Sequence, residues 1–292
     1  MTVAALLSEA SVALGAAGVG SSDWDAERLL RHVLGWDRAA LIARPDAEIA
    51  PVDEARFRSL VQERAHRVPL QHLVGRQAFW KHEFVVSPDV LIPRPETELL
   101  VETSLDLLRR VARPLIVDVG TGSGCIGLSL AAEREDAFVH AVDLSEAALA
   151  VARENARLLG LELRVAFHQG DLLAPVTALA GRVDLVVSNP PYVDLADREG
   201  LAPEVRDHDP SVALFAPGGP LAVYRRLAEE APRVLRPGGS LAVEVSPALV
   251  RPVTTLLAEN LFERIGVLRD LAGGARVVHA RLAEAPDPSA LK

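Results

Sequence analysis

A chain of 292 residues suffices for one large or two modest domains, and a hydrophobic fraction of 49% is ample for packed cores. This composition argues against disorder of the whole chain, and the net charge of -9 argues against affinity that rests on phosphate neutralisation. The single cysteine, Cys125, excludes a disulfide within the chain and suits a reducing cytoplasm.

The distribution of apolar and histidine residues bears on membranes and metals. The apolar start over residues 1–7 lacks a basic segment and meets Glu9 early, which argues against a signal peptide. No uninterrupted apolar stretch reaches transmembrane length, so we expect no membrane partner and a cytoplasmic location. The eight histidines are scattered without a pair at metal-ligand spacing, and we expect no metal.

The first part of the chain has the pattern of short helices. Apolar residues recur at helical spacing after Val3, and Ser21-Ser22-Asp23 offers caps for a second helix. Pro51 lies in the first turn of a longer helix that is predicted to end near Arg67. With no strand-like alternation, residues 1–72 are predicted to form a small helical-bundle domain.

Residues 73–95 are predicted to form a hairpin and linker, because a run rich in aromatic and β-branched side chains precedes a stiff Pro-Arg-Pro segment. We expect Phe79 and Trp80 to belong to the core of the hairpin rather than to contact a substrate. Two interpretations of Arg94 and Glu96 stay open. They contact a substrate or cofactor, or they form a salt-bridged linker.

Residues 96–284 show apolar strands that alternate with amphipathic helices, which predicts a doubly wound, mostly parallel α/β sheet. The predicted strands cover residues 115–119, 140–142, 163–167, 183–188, 240–245 and 276–281. The predicted helices cover residues 96–111, 145–156, 221–234 and 248–259, with a turn over 236–239. Residues 285–292 are predicted to be a frayed tail.

A glycine-rich turn, Gly120-Thr121-Gly122-Ser123-Gly124, joins the first of these strands to a helix. Glycines let the backbone turn tightly and let a ligand approach, and ligands bind open α/β sheets at the carboxyl ends of strands. Asp143 follows the second strand, where a carboxylate accepts the hydroxyl protons of a ribose. Asp171 follows the third strand, where it either bonds the exocyclic amine of adenine or caps the next helix. The pattern predicts an adenosine-type site.

The tetrapeptide Asn189-Pro190-Pro191-Tyr192 follows the strand at 183–188. Two prolines fix the backbone and donate no hydrogen bonds, so the segment offers an amide, bare carbonyl oxygens and an aromatic ring. We expect the side-chain oxygen of Asn189 and the carbonyl of Pro190 to accept the N–H bonds of a planar N–H-bearing group. Tyr192 would pack its ring against the plane of that group. No strong general base is evident, so the proton would leave to water.

In this order the motifs resemble those of S-adenosylmethionine-dependent methyltransferases that act on planar nitrogen. Further motifs are similar to one family within that group, the peptide chain release factor glutamine methyltransferases (HemK or PrmC family). These motifs lie at residues 69–75, 79–80, 91–98, 205–210, 213–215 and 223–226.

The resemblance implies a seven-stranded methyltransferase sheet and a helical domain that docks a protein substrate. It implies methyl transfer to the glutamine side-chain amide in the Gly-Gly-Gln motif of class I release factors, which supports translation termination. The residues implied in binding S-adenosyl-L-methionine are Gly120, Thr121, Gly122, Ser123, Gly124, Asp143, Asp171, Leu172 and Asn189. The residues implied in holding the glutamine are Asn189, Pro190, Pro191 and Tyr192, with catalytic roles for Asn189, Pro190 and Tyr192. Leu172 stands where some family members carry an aromatic residue, so it implies apolar packing on adenine without stacking.

Two alternatives stay open. A methyltransferase acting on adenine N6 in DNA or RNA needs the same tetrapeptide, but it is expected to carry a basic groove or a base-reading domain. The charge of -9 argues against it, and we expect no direct nucleic acid partner. A non-catalytic adaptor would keep the fold as a cofactor-binding module, and the intact glycine turn, Asp143 and tetrapeptide argue against that.

Overall fold

The computed structural model describes residues 1–284, so the predicted tail at 285–292 lies outside the described residues. Its contacts divide the chain into two compact units. The first unit comprises Met1–Arg76 and Leu201–His208, and the second comprises Gln77–Gly200 and Asp209–Lys292. The domain boundaries that we place at residues 72 and 95 stay a prediction.

The described helices and strands follow the predicted order closely. The α-helices are α1 (Val3–Ala16), α2 (Ser22–Leu34), α3 (Arg38–Ile42), α4 (Pro51–Ala65), α5 (Leu70–Val74), α6 (Glu98–Leu108), α7 (Cys125–Glu133), α8 (Glu146–Leu158), α9 (Pro203–His208), α10 (Ser211–Leu214), α11 (Ala222–Val234) and α12 (Val250–Glu259). The strands are β1 (Arg76–Phe79), β2 (His82–Val85), β3 (Leu115–Val119), β4 (Phe138–Asp143), β5 (Val165–Gln169), β6 (Val183–Ser188), β7 (Leu235–Glu244), β8 (Phe262–Arg269) and β9 (Ala275–Leu282). None of the helices at residues 1–284 combines the length and apolar character that crossing a membrane requires.

The first unit is the predicted helical bundle, built from α1 to α5 together with α9. Its core holds side chains such as Leu14 and Phe57, both at most 1% exposed. A buried ion pair joins Arg64 Nε to Asp25 Oδ2 at 2.7 Å. Glu204 of α9 accepts hydrogen bonds from Arg64 at 2.9 Å and from Arg67 at 2.7 Å, so these ion pairs fasten the later segment to the bundle.

The second unit contains the predicted doubly wound sheet. Within the described residues its strand order is β5-β4-β3-β6-β7-β9-β8, seven strands in all, and pairing is parallel up to β7 and antiparallel at β9 and β8. Because β3 lies between β4 and β6, the strand order reverses there, and the carboxyl ends of these strands meet at one edge. The glycine turn, Asp143 and Asn189 all follow strands that end at this edge.

Three details of the predicted sheet were wrong. Strand β8 was missed because it is an antiparallel strand at the sheet edge that includes three charged side chains, all of them exposed. The third predicted strand begins at Val165, because a 3-10 turn occupies Glu162–Arg164. Residues 236–239 are an irregular part of β7 rather than a closing turn, and the pairing with β6 shifts register between Val183 and Leu185.

The predicted hairpin forms from β1 and β2. Phe79 and Phe84 pack edge to face with ring centroids 6.1 Å apart, and Phe79 is 1% exposed, which confirms it as a core residue. The Asn155 side chain of α8 bonds both backbone groups of Val85, at 2.7 and 3.0 Å, and the carbonyl of Ser123 at 2.9 Å. One buried amide therefore ties the hairpin to the glycine turn.

Candidate active site

The glycine loop (residues 120–124) follows β3 and leads into α7. Gly120, Gly122 and Gly124 have φ values of +70°, +55° and +82°, a region that side chains with a Cβ rarely adopt. A Cβ on Gly124 would also lie 2.8 Å from Cδ1 of Leu128. The loop is therefore a backbone turn that only glycines at these positions permit.

The buried carboxylate of Asp118 stabilises the glycine loop through hydrogen bonds. Asp118 is 0% exposed, and its Oδ2 accepts the Thr121 hydroxyl at 2.6 Å and the Gly127 N–H at 3.0 Å. Burial raises the pKa of Asp118 to about 6, although both hydrogen bonds oppose the shift. A Cβ on Gly127 would come within 2.8 Å of Asp118 Oδ2. This close contact explains the additional glycine three residues beyond Gly124.

Asp143 lies at the end of β4 and binds the loop directly. Its Oδ2 accepts the Gly122 N–H at 2.8 Å, and its Oδ1 accepts the Ser145 N–H at 2.9 Å. Burial raises the pKa of this carboxyl, and the backbone N–H groups oppose that shift. Ser145 also caps α8 by accepting the Ala148 N–H at 3.2 Å, as predicted.

Asp171 and Leu172 follow β5. The Asp171 carboxylate is 57% exposed and pairs with Arg226 Nη1 at 2.8 Å, whereas Ala174 N–H bonds the backbone carbonyl of Asp171 at 3.1 Å. The side chain therefore does not cap the following turn. Leu172 is partly buried, with φ of +47°.

The amide loop (residues 189–192) follows β6. Asn189 Nδ2 donates to Thr97 Oγ1 at 3.3 Å, and the Thr97 hydroxyl donates to Glu244 Oε2 at 2.6 Å. The Tyr192 hydroxyl donates to Glu244 Oε1 at 3.3 Å, and burial together with Glu244 raises the pKa of Tyr192 to about 12. Within residues 1–284 no donor bonds Asn189 Oδ1, so this oxygen stays an unused acceptor.

A cavity of about 430 Å³ joins the two loops. That volume falls in the range of small-molecule sites. The predicted site residues along its wall are Gly120, Thr121, Gly122, Ser123, Asp143, Asp171, Leu172, Asn189, Pro190 and Pro191. Gly124 and Tyr192 do not line the cavity: Gly124 packs on Leu128, and the Tyr192 hydroxyl is held at Glu244.

Arg94 and Cys125 also lie on the cavity wall. Arg94 lines the cavity and also pairs with the buried Asp209 at 2.6 Å, so it combines features of both predicted interpretations. Cys125 lines the cavity too, and burial raises the pKa of its thiol to about 12, which leaves it a packing residue rather than a nucleophile. Glu96, Phe79 and Trp80 do not line the cavity.

Sequence reasoning missed Asp118, Thr97 and Glu244. Asp118 and Glu244 each interrupt an otherwise apolar strand, in Leu-Ile-Val-Asp-Val and Leu-Ala-Val-Glu-Val. A charge in a strand buried on both faces requires a partner, and this was an available signal for both acids. No such signal marks Thr97.

The site accommodates an adenosyl cofactor, because bare glycine backbone and a ribose-type acid border a largely apolar cavity of fitting size. A doubly wound sheet with a glycine loop after β3, an acid after β4 and Asn-Pro-Pro-Tyr after β6 defines an S-adenosylmethionine-dependent methyltransferase.

Comparisons with known proteins assign the family within that class. The family described as PrmC N-terminal domain matches residues 5–75, and the methyltransferase small domain matches residues 95–204. The release factor glutamine methyltransferase of Deinococcus radiodurans is 46% identical over 280 residues, which cover 95% of this chain and 98% of that one. The protein of the same name from Cereibacter sphaeroides is 43% identical, with 97% and 99% covered. This chain belongs to the release factor glutamine methyltransferase family.

A solved structure shares the fold. The hMettl16 catalytic domain in complex with a MAT2A 3'UTR hairpin matches with a TM-score of 0.56 at 15% identity, covering 69% of this chain and 76% of that one. At this level of identity the likeness concerns the methyltransferase sheet alone.

Proposed function

We propose that this chain methylates the side-chain amide nitrogen of the glutamine in the Gly-Gly-Gln motif of class I peptide chain release factors, and so supports translation termination. The observation that carries the proposal is the side-chain oxygen of Asn189, which accepts no hydrogen bond from the described residues. Asn189 lies at the wall of the cavity that the glycine loop also lines. Family membership supports the choice of substrate.

The glycine loop and the acids around it bind the cofactor in this proposal. Gly120 to Gly124 form the backbone seat, and Asp143 accepts from the ribose hydroxyls with lone pairs left over from its two backbone bonds. Asp171 and Leu172 lie toward adenine. S-adenosylmethionine supplies, when bound, a methyl group made electrophilic by its sulfonium centre.

The amide loop binds the glutamine. An amide nitrogen is a poor nucleophile because its lone pair is delocalised into the carbonyl. Asn189 Oδ1 and the Pro190 carbonyl accept its two N–H bonds, which orients the nitrogen and favours the positive charge that develops on it. Tyr192 does not line the cavity, so it acts on the amide loop rather than on the glutamine, with its hydroxyl held by Glu244. Glu244 does not line the cavity, so the proton leaves to water.

The remaining parts of the proposal concern the rest of the chain. Residues 1–72 form the domain that docks the release factor, residues 73–95 are the hairpin and linker, and residues 96–284 carry the methyltransferase reaction. The protein acts in the cytoplasm.

The proposal is tested by incubating the protein with a class I release factor and S-adenosylmethionine, followed by peptide mass spectrometry. We expect one methyl group on the loop glutamine and none on a release factor in which that glutamine is replaced. A DNA duplex and an RNA hairpin that contain adenine serve as competing substrates. Methylated adenine with an unmodified release factor would refute the proposal and favour the nucleic acid alternative.

Asn189→Ala tests the role of the amide loop. Turnover is expected to fall by about 10²–10³-fold, the usual effect of removing one contact that stabilises developing charge. Cofactor affinity, measured by calorimetry, is expected to stay within about twofold, because the glycine loop is untouched. Asn260→Ala removes an amide at the end of α12, far along the sequence from both loops, and serves as the matched control. Full turnover in Asn189→Ala would exclude the proposed role.

A further inference from the structure

A carboxylate is buried beneath the amide loop without reaching the cavity. Glu244 is 1% exposed at the end of β7. Ser188 of β6 pairs with Val243 of β7, so the next residue of β7, Glu244, lies beside the residue that follows β6, Asn189. A charge at this depth is costly unless it is hydrogen-bonded. The groups that satisfy it are therefore informative.

Both carboxylate oxygens accept from hydroxyl groups. Oε2 accepts from Thr97 at 2.6 Å, and Oε1 accepts from Tyr192 at 3.3 Å. The backbone carbonyl of Glu244 also accepts from the Tyr224 hydroxyl at 2.7 Å. Glu244 thus imposes a direction on each bond, since an ionised carboxylate only accepts.

This direction passes to Asn189 through Thr97. A threonine hydroxyl has one proton, and Thr97 donates it to Glu244, so Oγ1 offers only lone pairs to Asn189. The amide group of Asn189 therefore turns its nitrogen to Thr97, at 3.3 Å, and its oxygen away. Thr97 is 2% exposed, so water does not compete for its hydroxyl.

We propose that Glu244 and Thr97 are positioning residues that orient the Asn189 amide so that its oxygen, rather than its nitrogen, meets the N–H bond of the substrate. The inference rests on the proposed function of Asn189 as an acceptor. Without the carboxylate, Thr97 is free to donate to Asn189 Oδ1. The amide then turns over and presents N–H groups to the substrate N–H groups, which cannot bond each other.

Thr97→Val and Thr97→Ser are the central variants. Valine keeps the shape of threonine without the hydroxyl, and serine keeps the hydroxyl. We expect kcat of Thr97→Val to fall by about 10- to 100-fold, the equivalent of one hydrogen bond within a charged network. Thr97→Ser is expected to keep kcat within about threefold, and both should keep cofactor affinity. Equal kcat in both variants and the wild type would overturn the proposal.

Repeating the Thr97→Val substitution in an Asn189→Asp variant distinguishes a role of Thr97 in orienting the amide from a role in packing. Asn189→Asp has two equivalent oxygens, so no amide remains to be oriented. In this background we expect Thr97→Val to cause no further loss of kcat, whereas a purely structural role predicts the same fold-loss in both backgrounds. A loss of equal size in the two backgrounds therefore refutes the inference, even where Thr97→Val lowers the melting temperature.

The dependence of kcat on pH gives an independent readout. Burial raises the pKa of Glu244, and the groups that face it are Thr97, Glu96, Tyr192, Tyr224, Cys125 and Arg276. Protonation turns one oxygen of Glu244 into a donor, so the carboxyl group no longer forces Thr97 to donate to it. Wild-type kcat should therefore fall as pH drops through this raised pKa. Glu244→Gln should lose most of its kcat at neutral pH and lack this acidic limb. An unchanged limb in Glu244→Gln contradicts the inference.

The outcomes also separate this inference from the proposed function. If the wild type methylates the loop glutamine and Asn189→Ala does not, the function stands whatever Thr97 does. If the wild type leaves that glutamine unmodified, the function itself fails.

Discussion

The two loops at the cavity are held by opposite means. The glycine loop donates its Gly122 backbone N–H to Asp143 and its Thr121 hydroxyl to Asp118, and its glycines allow the positive φ values of the turn. The amide loop has two prolines and no glycine, and Thr97 and Glu244 hold its Asn189 through side chains.

The difference follows from what each loop is proposed to bind. A cofactor that fills the space against a turn needs bare backbone and an acid for its ribose, and carboxylates below the turn fix that shape. A planar N–H group needs acceptors, and prolines remove the competing backbone donors. Under the proposed function, the glycine loop governs affinity for the cofactor and the amide loop governs turnover. Substitutions in and around the glycine loop should therefore lower cofactor affinity without changing kcat, in contrast to Asn189→Ala.

Asp143→Ala should give the largest effect on the cofactor side. It removes the acceptor for the Gly122 and Ser145 N–H groups as well as the proposed ribose contact. We expect cofactor affinity to fall by about 100-fold, since each lost contact to a charged group costs 1.5–3 kcal/mol. Titration calorimetry measures this, and kcat at saturating cofactor should stay within about threefold of wild type. Asp143→Asn, which keeps one acceptor oxygen, is the control and should lose less.

An Asp143→Ala variant with normal affinity and low kcat would contradict the division between the loops. It would place Asp143 in the reaction rather than in the binding of the cofactor.

Asp118→Asn should have an intermediate effect, visible in stability rather than in binding. The pKa of Asp118 is raised to about 6, above its unfolded value of 3.8. Its contribution to folding is therefore full below pH 3.8 and is lost as pH rises through about 6. Between pH 6 and pH 5 the wild type should gain on the order of 1 kcal/mol relative to Asp118→Asn.

Urea unfolding of both proteins at pH 5, 6 and 7 measures this difference. Asp136→Asn, at an exposed acid whose pKa is lowered, is the matched control and should not reproduce the gain. A constant difference between wild type and Asp118→Asn over this range would show that Asp118 is ionised throughout.

The parallel half of the fold was predictable, because strands buried on both faces appear as predominantly apolar runs, such as those of β3 and β6, each interrupted by a single aspartate. Strand β8 was not predictable in this way. Its exposed residues do not alternate with buried ones, and its pairing with β9 shifts register between Glu263 and Gly266, so no period-two pattern marks the strand.

The same contrast between local and long-range patterns applies to the residues of the candidate site. Residues proposed to contact a ligand through backbone or a terminal group, such as Gly120 and Asn189, lie in short motifs that local sequence reveals. Thr97 and Glu244 lie 147 residues apart, and only the folded sheet brings their side chains to 2.6 Å. Sequence patterns show which residues bear the chemistry, whereas the groups that orient them depend on long-range register.

Substitution of Asp171, the residue proposed to contact adenine, should have the smallest effect on cofactor affinity. Its carboxylate is exposed and pairs with Arg226, which Glu230 also holds at 3.0 Å, so breaking an exposed pair of this kind costs at most about 1 kcal/mol. Asp171→Asn keeps an acceptor oxygen and should change cofactor affinity by less than about threefold, whereas Asp171→Ala should lose about tenfold.

The decisive measurement repeats the titrations with a cofactor analogue in which hydrogen replaces the exocyclic amine. If Asp171 bonds that amine, Asp171→Ala and the wild type bind the analogue equally, because the contact is already gone. If Asp171→Ala loses the same factor with both ligands, the carboxylate acts only through Arg226, and the proposed adenine contact is excluded.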